Sequence, residues 1–252
     1  MNFFLDSVTL TGLLLVTATT SSCFQSAPVD GDLGDGYKPS ADGDVDTEID
    51  ENDNTDDDAD EDSPLPEICK GPIHFPDPYL ETTIRDTIKK TTDNIFYEDV
   101  KTISSISEHG CGIVDLTGIQ CLTGLSEILI ADCGVRDLSP LSHLPNLTRL
   151  SIFWNDISDL TPLSGLTQLT YLDISINNVS DISALSGLSR LSSLDLADNN
   201  ISDIAPLSIV NSQGKLSFVS VRDNPLDCTD TATQNIIREL KHSGVETDSP
   251  CD

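Results

Sequence analysis

Hydrophobic residues recur through the middle of the chain with a period of 22 residues. Within each period, apolar side chains stand at offsets 0, 3 and 5 and again at offsets 10, 13, 16 and 19, counted from the first residue. The first group is typical of a short strand with its apolar side chains inward, and the second of a return segment that packs on the same core. Six segments begin in this way, the last after a spacing of 25: Ile103, Leu125, Leu147, Leu169, Leu191 and Leu216.

The residue at offset 8 is a polar or small residue that must lie inside the fold. It is Cys111 and Cys133 in the first two copies and Asn155, Asn177, Asn199 and Asn224 in the others. An amide side chain suits this place because it can both donate to and accept from backbone groups of neighbouring coils. The unit therefore reads L-x-x-L-x-L-x-x-N/C-x-L, the pattern of a leucine-rich repeat.

This pattern predicts an α/β fold, a right-handed leucine-rich-repeat solenoid, or horseshoe. We expect a parallel sheet on its concave face and short 3₁₀ or extended segments on its convex face. One coil cannot bury enough apolar surface to stand alone, so neighbouring coils must stack and both ends need caps. An aspartate recurs at offset 12, from Asp115 to Asp203, and we expect it to cap the turn that follows.

The repeat motif IxDLxPLSGLTxL resembles the 22-residue repeats of internalins and related bacterial surface proteins. The resemblance covers roughly residues 69–251. It implies a curved solenoid that binds a protein on its concave face. It does not specify the ligand.

The two ends of the repeat region look like the caps of that group. Residues 73–100 include an amphipathic segment after Pro76 and Pro78, and residues 226–252 include a second one that Gly244 ends. The apolar sides of the two helices are formed by Leu80, Ile84 and Ile88, and by Ile236, Ile237 and Leu240. The predicted organisation is a signal peptide (1–22), an acidic linker (23–68), a helical N-terminal cap (69–102), the repeats (103–225) and a C-terminal cap (226–252).

The N-terminus predicts export from the cell. Residues 8–18 form an apolar stretch too short to span a membrane, and small residues precede Cys23. This resembles a bacterial lipoprotein cleavage site, so Cys23 is the expected lipid-attachment residue. The expected location is the cell envelope, as a lipid-anchored protein of the outer membrane or cell surface. Plain secretion is the alternative.

The chain is strongly acidic, with a formal net charge of −30. Seventeen of its acidic residues lie between Phe24 and Ile68, which predicts an extended tether without a core. Asp42, Asp44, Asp46 and Asp53 approach the spacing of a calcium loop, but no glycine stands at its sixth position. Such acidity argues against binding to nucleic acid and to anionic membrane surfaces.

Seven cysteines suggest an oxidising compartment. Cys228 and Cys251 flank the last helix and are expected to form a disulfide. Cys69, Cys111, Cys121 and Cys133 allow three pairings. We favour a disulfide between Cys111 and Cys133, because they occupy the same repeat position on adjacent coils. The remaining pair is then Cys69 with Cys121. Zinc is the rival interpretation, although no CxxC spacing is present.

Side chains at offsets 2, 4, 6 and 7 are expected to point away from the core and to line the concave face. Aromatic residues and arginine dominate binding hot spots, and acidic residues select a basic or polyhydroxylated partner. Packing of Phe153 and Trp154 near a strand end or a cap is the alternative interpretation. The predicted partner-binding residues are Arg149, Phe153, Trp154, Tyr171, Asp173, Ile176, Asp195 and Asp198.

No catalytic residue, metal site or cofactor is predicted. The four histidines, His74, His109, His143 and His242, stand in no metal-binding or base–nucleophile spacing. The prediction is a non-enzymatic, monomeric module at the bacterial cell surface that binds a protein, with a glycan as the alternative ligand, and touches a membrane only through Cys23. The alternatives are an envelope spacer without a dedicated ligand and, third, a calcium-dependent adhesin.

Overall fold

The computed structural model describes residues 65–110 and 112–251. The predicted signal peptide (1–22), the lipid-attachment residue Cys23 and the candidate calcium loop lie outside these residues. Cys111 and all but the last four residues of the acidic linker also lie outside them. None of the helices in the described part of the chain is long and apolar enough to cross a membrane.

The repeats form one parallel sheet in which the strands follow each other in chain order. Neighbouring strands pair residues one period apart, as in Leu150 with Leu172 and Leu172 with Leu194. This register confirms the solenoid predicted from the 22-residue period. The strands are β1 (Ser105–His109), β2 (Glu127–Ala131), β3 (Arg149–Ser151), β4 (Tyr171–Asp173), β5 (Ser193–Asp195), β6 (Phe218–Ser220) and β7 (Glu246–Asp248).

The convex side of the coils is made of short 3₁₀ turns, as the second group of apolar positions predicts. In one coil, Ile157, Leu160, Leu163 and Leu166 are all buried at 2% exposure or less, and they pack on the same core as the strand leucines. The turns in the described part of the chain span Glu67–Cys69, Ile119–Cys121, Ser139–His143, Thr161–Leu163 and Ser183–Gly187.

The aspartate at offset 12 organises the start of each turn. The Asp137 carboxylate accepts the Ser139 N–H at 2.8 Å, and Asp159 and Asp181 repeat the bond with Thr161 and Ser183. Each bond spans two residues and lies just before the turn, so it is an Asx turn rather than a bond within the helix cap itself.

The longer fifth coil replaces its 3₁₀ turn with a true helix, α3 (Ala205–Ser212). The three extra residues predicted between Ser208 and Lys215 are absorbed there. Leu207 and Val210 face the core, while Ile209 is 50% exposed on the outer side. The sheet register is unaffected, since Leu194 still pairs with Val219.

A ladder of buried asparagines joins the coils at offset 8. The Asn177 Oδ1 accepts the Ile157 N–H of the preceding coil at 2.9 Å. Its Nδ2 donates to the carbonyls of Ile152, Ile174 and Ser175. Asn155, Asn199 and Asn224 make the same set of bonds. Each buried amide thus satisfies backbone groups of two coils.

The N-terminal cap is held by a buried carboxylate. Asp77 is only 4% exposed and caps α1 (Pro78–Ile88), where it accepts the N–H groups of Tyr79 and Leu80. Its other oxygen accepts the N–H groups of Val114 and Asp115, which follow β1. One side chain therefore both starts the helix and fastens it to the first coil. A second short helix, α2 (Tyr97–Val100), leads into the repeats.

The C-terminal cap consists of α4 (Thr231–His242) and the last strand, β7. Ile237 and Leu240 are buried, and Gly244 follows the helix with φ of 82°. The sequence pattern predicted the helix and its apolar side but not the strand. Disulfides join Cys69 to Cys121 and Cys228 to Cys251, in agreement with the predicted pairings. Cys133 is buried, and its predicted pairing with Cys111 involves a residue outside the described range.

Candidate functional site

The sheet face opposite the core, here called the concave face, carries the predicted site residues. Some positions expected to point outward on it are in fact buried. Ala131 and Ala197 at offset 6, and Ser151 and Ser220 at offset 4, are each at most 9% exposed. All four side chains are small. The accessible part of the face is therefore defined by the large side chains between them.

Every coil has a left-handed backbone conformation at offset 7. The φ angle is 63° at Gly110 and 53° or 54° at the five later positions. Glycine and aspartate tolerate this conformation, whereas it is unfavourable for bulky and especially for β-branched side chains. In the later coils the position holds Asp132, Trp154, Ile176, Asp198 and Asp223. Trp154 and Ile176 therefore occupy a backbone conformation that their side chains do not favour.

Phe153, Trp154 and Ile176 form an exposed apolar edge along one side of the concave face. Trp154 is 53% exposed and Ile176 is 42% exposed, while Phe153 is half-buried. Trp154 and Ile176 lie on adjacent coils, because the Trp154 N–H donates to the Ser175 carbonyl and the Asn155 N–H to the Ile176 carbonyl. The Phe153 ring also lies 6.1 Å from the ring of His109, between centroids. The tryptophan therefore lies on the surface, as predicted.

Arg149 and Tyr171 are register partners on β3 and β4. The Arg149 guanidinium lies 4.4 Å from the centroid of the Tyr171 ring, in a cation–π contact, and its Nε lies 3.2 Å from a Glu127 oxygen. Burial raises the pKa of the Tyr171 hydroxyl, as does Asp173, while Arg149 opposes the shift. The arginine thus already has two partners on the protein.

Asp173 and Asp195, here called the carboxylate pair, are register partners at offset 4 of β4 and β5. Like charges directly opposite each other on neighbouring strands repel. Asp173 accepts hydrogen bonds from the Ser175 N–H and hydroxyl, and Asp195 from the Ala197 N–H. Burial raises the pKa of Asp195, the Ala197 N–H opposes the shift, and Asp173 adds to it.

The second arginine of the face, Arg222, is surrounded by acids. Its guanidinium nitrogens lie 3.7 Å from Asp198, 3.5 Å from Asp223 and 3.4 Å from Asp248. In contrast, neither member of the carboxylate pair forms an ion pair with any residue in the described ranges. The face therefore carries a net negative charge, and its arginines already lie beside acidic groups.

Within residues 65–110 and 112–251, no cluster of three or more His, Cys, Asp or Glu side chains has a metal-binding arrangement. His109 contacts an aromatic ring and His143 lies at the end of a 3₁₀ turn on the convex side. The structure thus brings the eight predicted binding residues onto one continuous surface of three adjacent coils, β3 to β5 and the residues after each strand.

Comparisons with known proteins agree with this architecture. A family model for leucine-rich repeats in two copies matches residues 167–209, and a single leucine-rich-repeat model matches residues 143–160. The crystal structure of the internalin InlF from Listeria monocytogenes is 28% identical, with a TM-score of 0.59 over 69% of this chain and 51% of that one. The described domain is an internalin-like leucine-rich-repeat solenoid.

Two further Listeria monocytogenes structures are similar to the internalin-like solenoid. Internalin C2 is 25% identical over 69% of this chain and 94% of that one, with a TM-score of 0.39. The functional domain of InlJ, which includes a cysteine ladder, is 18% identical over 70% of this chain and 60% of that one, with a TM-score of 0.42. The match to InlF spans about half of that protein's length. No curated protein matches the sequence.

Sequence reasoning missed two features of the internalin-like solenoid. The left-handed position was signalled by Gly110 and by the aspartates at the same offset, since these residues share a tolerance for positive φ. The acidic group around Arg222 includes Asp248, which lies on the unpredicted strand β7. That strand has no leucine at the repeat positions, so the periodic pattern gives no sign of it.

Proposed function

We propose that the internalin-like solenoid is a non-enzymatic protein-binding module, displayed at the bacterial cell surface, that binds its partner on the concave face. The observation that carries this proposal is the apolar edge. Trp154 and Ile176 are large, exposed and in a left-handed conformation that favours glycine or aspartate. Strained and exposed apolar residues on adjacent coils are typical of binding sites rather than of a framework.

The remaining predicted residues fit this role. Arg149 and Tyr171 present a stacked pair beside the edge, and Asp173, Asp195 and Asp198 give the adjoining surface its charge. Tryptophan, tyrosine and arginine are the residue types that contribute most in protein interfaces. The alternative is a structural spacer, which would gain nothing from an exposed indole at a strained position.

Variants at offset 7 separate binding from packing. Replacing Trp154 and Ile176 with asparagine gives the left-handed backbone a residue that tolerates it. We expect W154N/I176N to unfold at the same temperature as the wild type or at a higher one. The relieved backbone strain would raise the free energy of unfolding by up to about 2 kcal/mol. Thermal unfolding followed by circular dichroism measures this. A large loss of stability would mean that these side chains pack in the core instead.

The same variant tests function by photo-cross-linking with extracellular and surface proteins. We expect a specific partner to be captured by the wild type and lost in W154N/I176N. Ile209→Asn is the matched control, because Ile209 is equally exposed but lies on α3 of the convex side. Capture of the same proteins by all three chains would favour the spacer.

Surface display is a separate part of the proposal and rests on the apolar stretch before Cys23. Mass spectrometry of the mature protein should find an N-terminal Cys23 carrying acyl chains. An unmodified mature N-terminus would support plain secretion instead.

A further inference from the structure

The carboxylate pair lies on the accessible side of the sheet and forms no ion pair with a residue in the described ranges. Asp173 and Asp195 are both half-buried, on neighbouring strands whose backbones lie about 4.8 Å apart. The two arginines of the face are turned to other acids, Arg149 to Glu127 and Arg222 to Asp198, Asp223 and Asp248. Arg222 lowers the pKa of Asp195 by less than burial raises it, so the pair loses water with little compensating charge and favours a positive group from outside.

The apolar edge lies beside this pair in the same coils. Asp173 and Ile176 are three residues apart in one coil, so their backbones lie at most about 10 Å apart. Ser175 lies between them and donates its hydroxyl proton to Asp173 at 2.7 Å. A segment of a binding partner can therefore place an apolar side chain against Trp154 and Ile176 and a cationic side chain near Asp173 and Asp195.

Charge decides between the possible occupants of this surface. A second copy of the chain would add another net charge of −30, and the chain's own segment 24–68 has seventeen acids against a single lysine. Both would be repelled by the acids of the concave face. The surface instead fits a partner of opposite charge, since complementary potentials steer and select association.

We propose that the apolar edge and the carboxylate pair together bind a segment of a protein partner that carries a Lys or Arg within about four residues of a bulky apolar side chain. This inference rests on the proposed function and adds the chemistry of the partner to it. The cation lies between Asp173 and Asp195, and the apolar side chain covers Trp154 and Ile176.

The test is selection from a phage-displayed library of random 12-residue peptides on the folded chain, with affinities of the enriched peptides then measured by fluorescence anisotropy. We expect enrichment of Lys or Arg near a bulky apolar residue. Binding should weaken at least about tenfold in D173N/D195N, because asparagine keeps an oxygen for the Ser175 and Ala197 bonds but not the charge. It should also weaken as salt rises from about 50 to 500 mM.

A matched control removes the same charge from elsewhere on neighbouring coils. D159N/D181N changes two aspartates that precede the convex turns, where each accepts a backbone N–H. We expect this variant to bind the enriched peptides as the wild type does. Equal weakening by both double variants would show an effect of overall charge and would overturn the assignment to the carboxylate pair.

The two proposals fail in different ways. If the enriched peptides lose binding in W154N/I176N but carry no basic residue and bind D173N/D195N unchanged, the inference is wrong while the binding function stands. If no enriched peptide responds to any concave-face variant, the inference and the proposed function are both wrong.

Discussion

At the scale of single residues, the concave face combines groups that the fold alone does not require. Aspartate at offset 7 suits the left-handed backbone, and the core is complete without Trp154 or the carboxylate pair. The asparagines at offset 8 are the opposite case, because each serves backbone groups of two coils. Residues of the first kind are expected to affect binding, and those of the second kind to affect stability.

Replacing Asp195 with asparagine should stabilise the protein near neutral pH. The folded-state pKa of Asp195 lies above its ordinary value of 3.8, chiefly because of burial. Folding therefore favours the protonated carboxyl, whose contribution to stability is full below the ordinary pKa and is lost as pH rises through the folded-state value. We expect D195N to raise Tm at pH 7 and the difference to vanish toward about pH 3.

Asp159 provides a control of opposite sign. Hydrogen bonds from Thr161 lower the pKa of Asp159, so its contribution is present at neutral pH and is lost on acidification. D159N should therefore lower Tm at pH 7, not raise it. Melting curves from pH 3 to 7 distinguish the two, and a shift in the same direction for both variants would contradict this account.

Replacing Asn177 with alanine should be strongly destabilising. It removes one acceptor and three donor bonds and leaves the Ile157 N–H buried without a partner, while the Ile152 carbonyl keeps only its bond from the Asn155 amide. The expected loss is about 3 kcal/mol or more in the free energy of unfolding. Urea unfolding followed by circular dichroism measures it. Asn178→Ala is the control, because Asn178 is the exposed neighbour and should cost little.

At the scale of elements, the periodic parts of the fold were predictable and the irregular ones were not. Apolar residues every 22 positions fix the strands, the return turns and the register, because a slip would place Leu150 or Leu172 in solvent. The amphipathic spacing of Leu80, Ile84 and Ile88 likewise predicted α1. Strand β7 and the bonds of Asp77 depend on contacts distant in sequence, and no local pattern encodes them.

The attachment of α1 to the first coil should depend on Asp77. D77A removes the acceptor for four backbone N–H groups at the junction, and we expect a loss of about 3 kcal/mol or more. Asp230→Ala is the comparison, because Asp230 caps α4 by accepting the Thr233 N–H and hydroxyl and fastens no second element. Its cost should be about 1 kcal/mol. Equal losses would mean that Asp77 acts only as a helix cap.

At the scale of the whole solenoid, each coil contacts its neighbours in chain order. One whole coil can therefore be removed without changing how the remaining coils pack. Deleting residues 170–191 joins Leu169 to Ser192 and preserves every apolar register. We expect a folded chain whose denaturant m-value falls by about a tenth, in proportion to the surface removed. Deleting half a period, residues 170–180, should abolish cooperative unfolding. Survival of both deletions would contradict a stack set by the period.

Strand β7 also forms an edge of the sheet, where further strands could pair. A sheet edge that is long, flat and apolar recruits further chains and grows into fibres. Strand β7 is three residues long, and two of them are the exposed acids Glu246 and Asp248. A further strand could form few backbone hydrogen bonds with β7, and it would have to pack beside two carboxylates. Strand β7 thus disfavours the pairing of a further strand at this edge of the sheet.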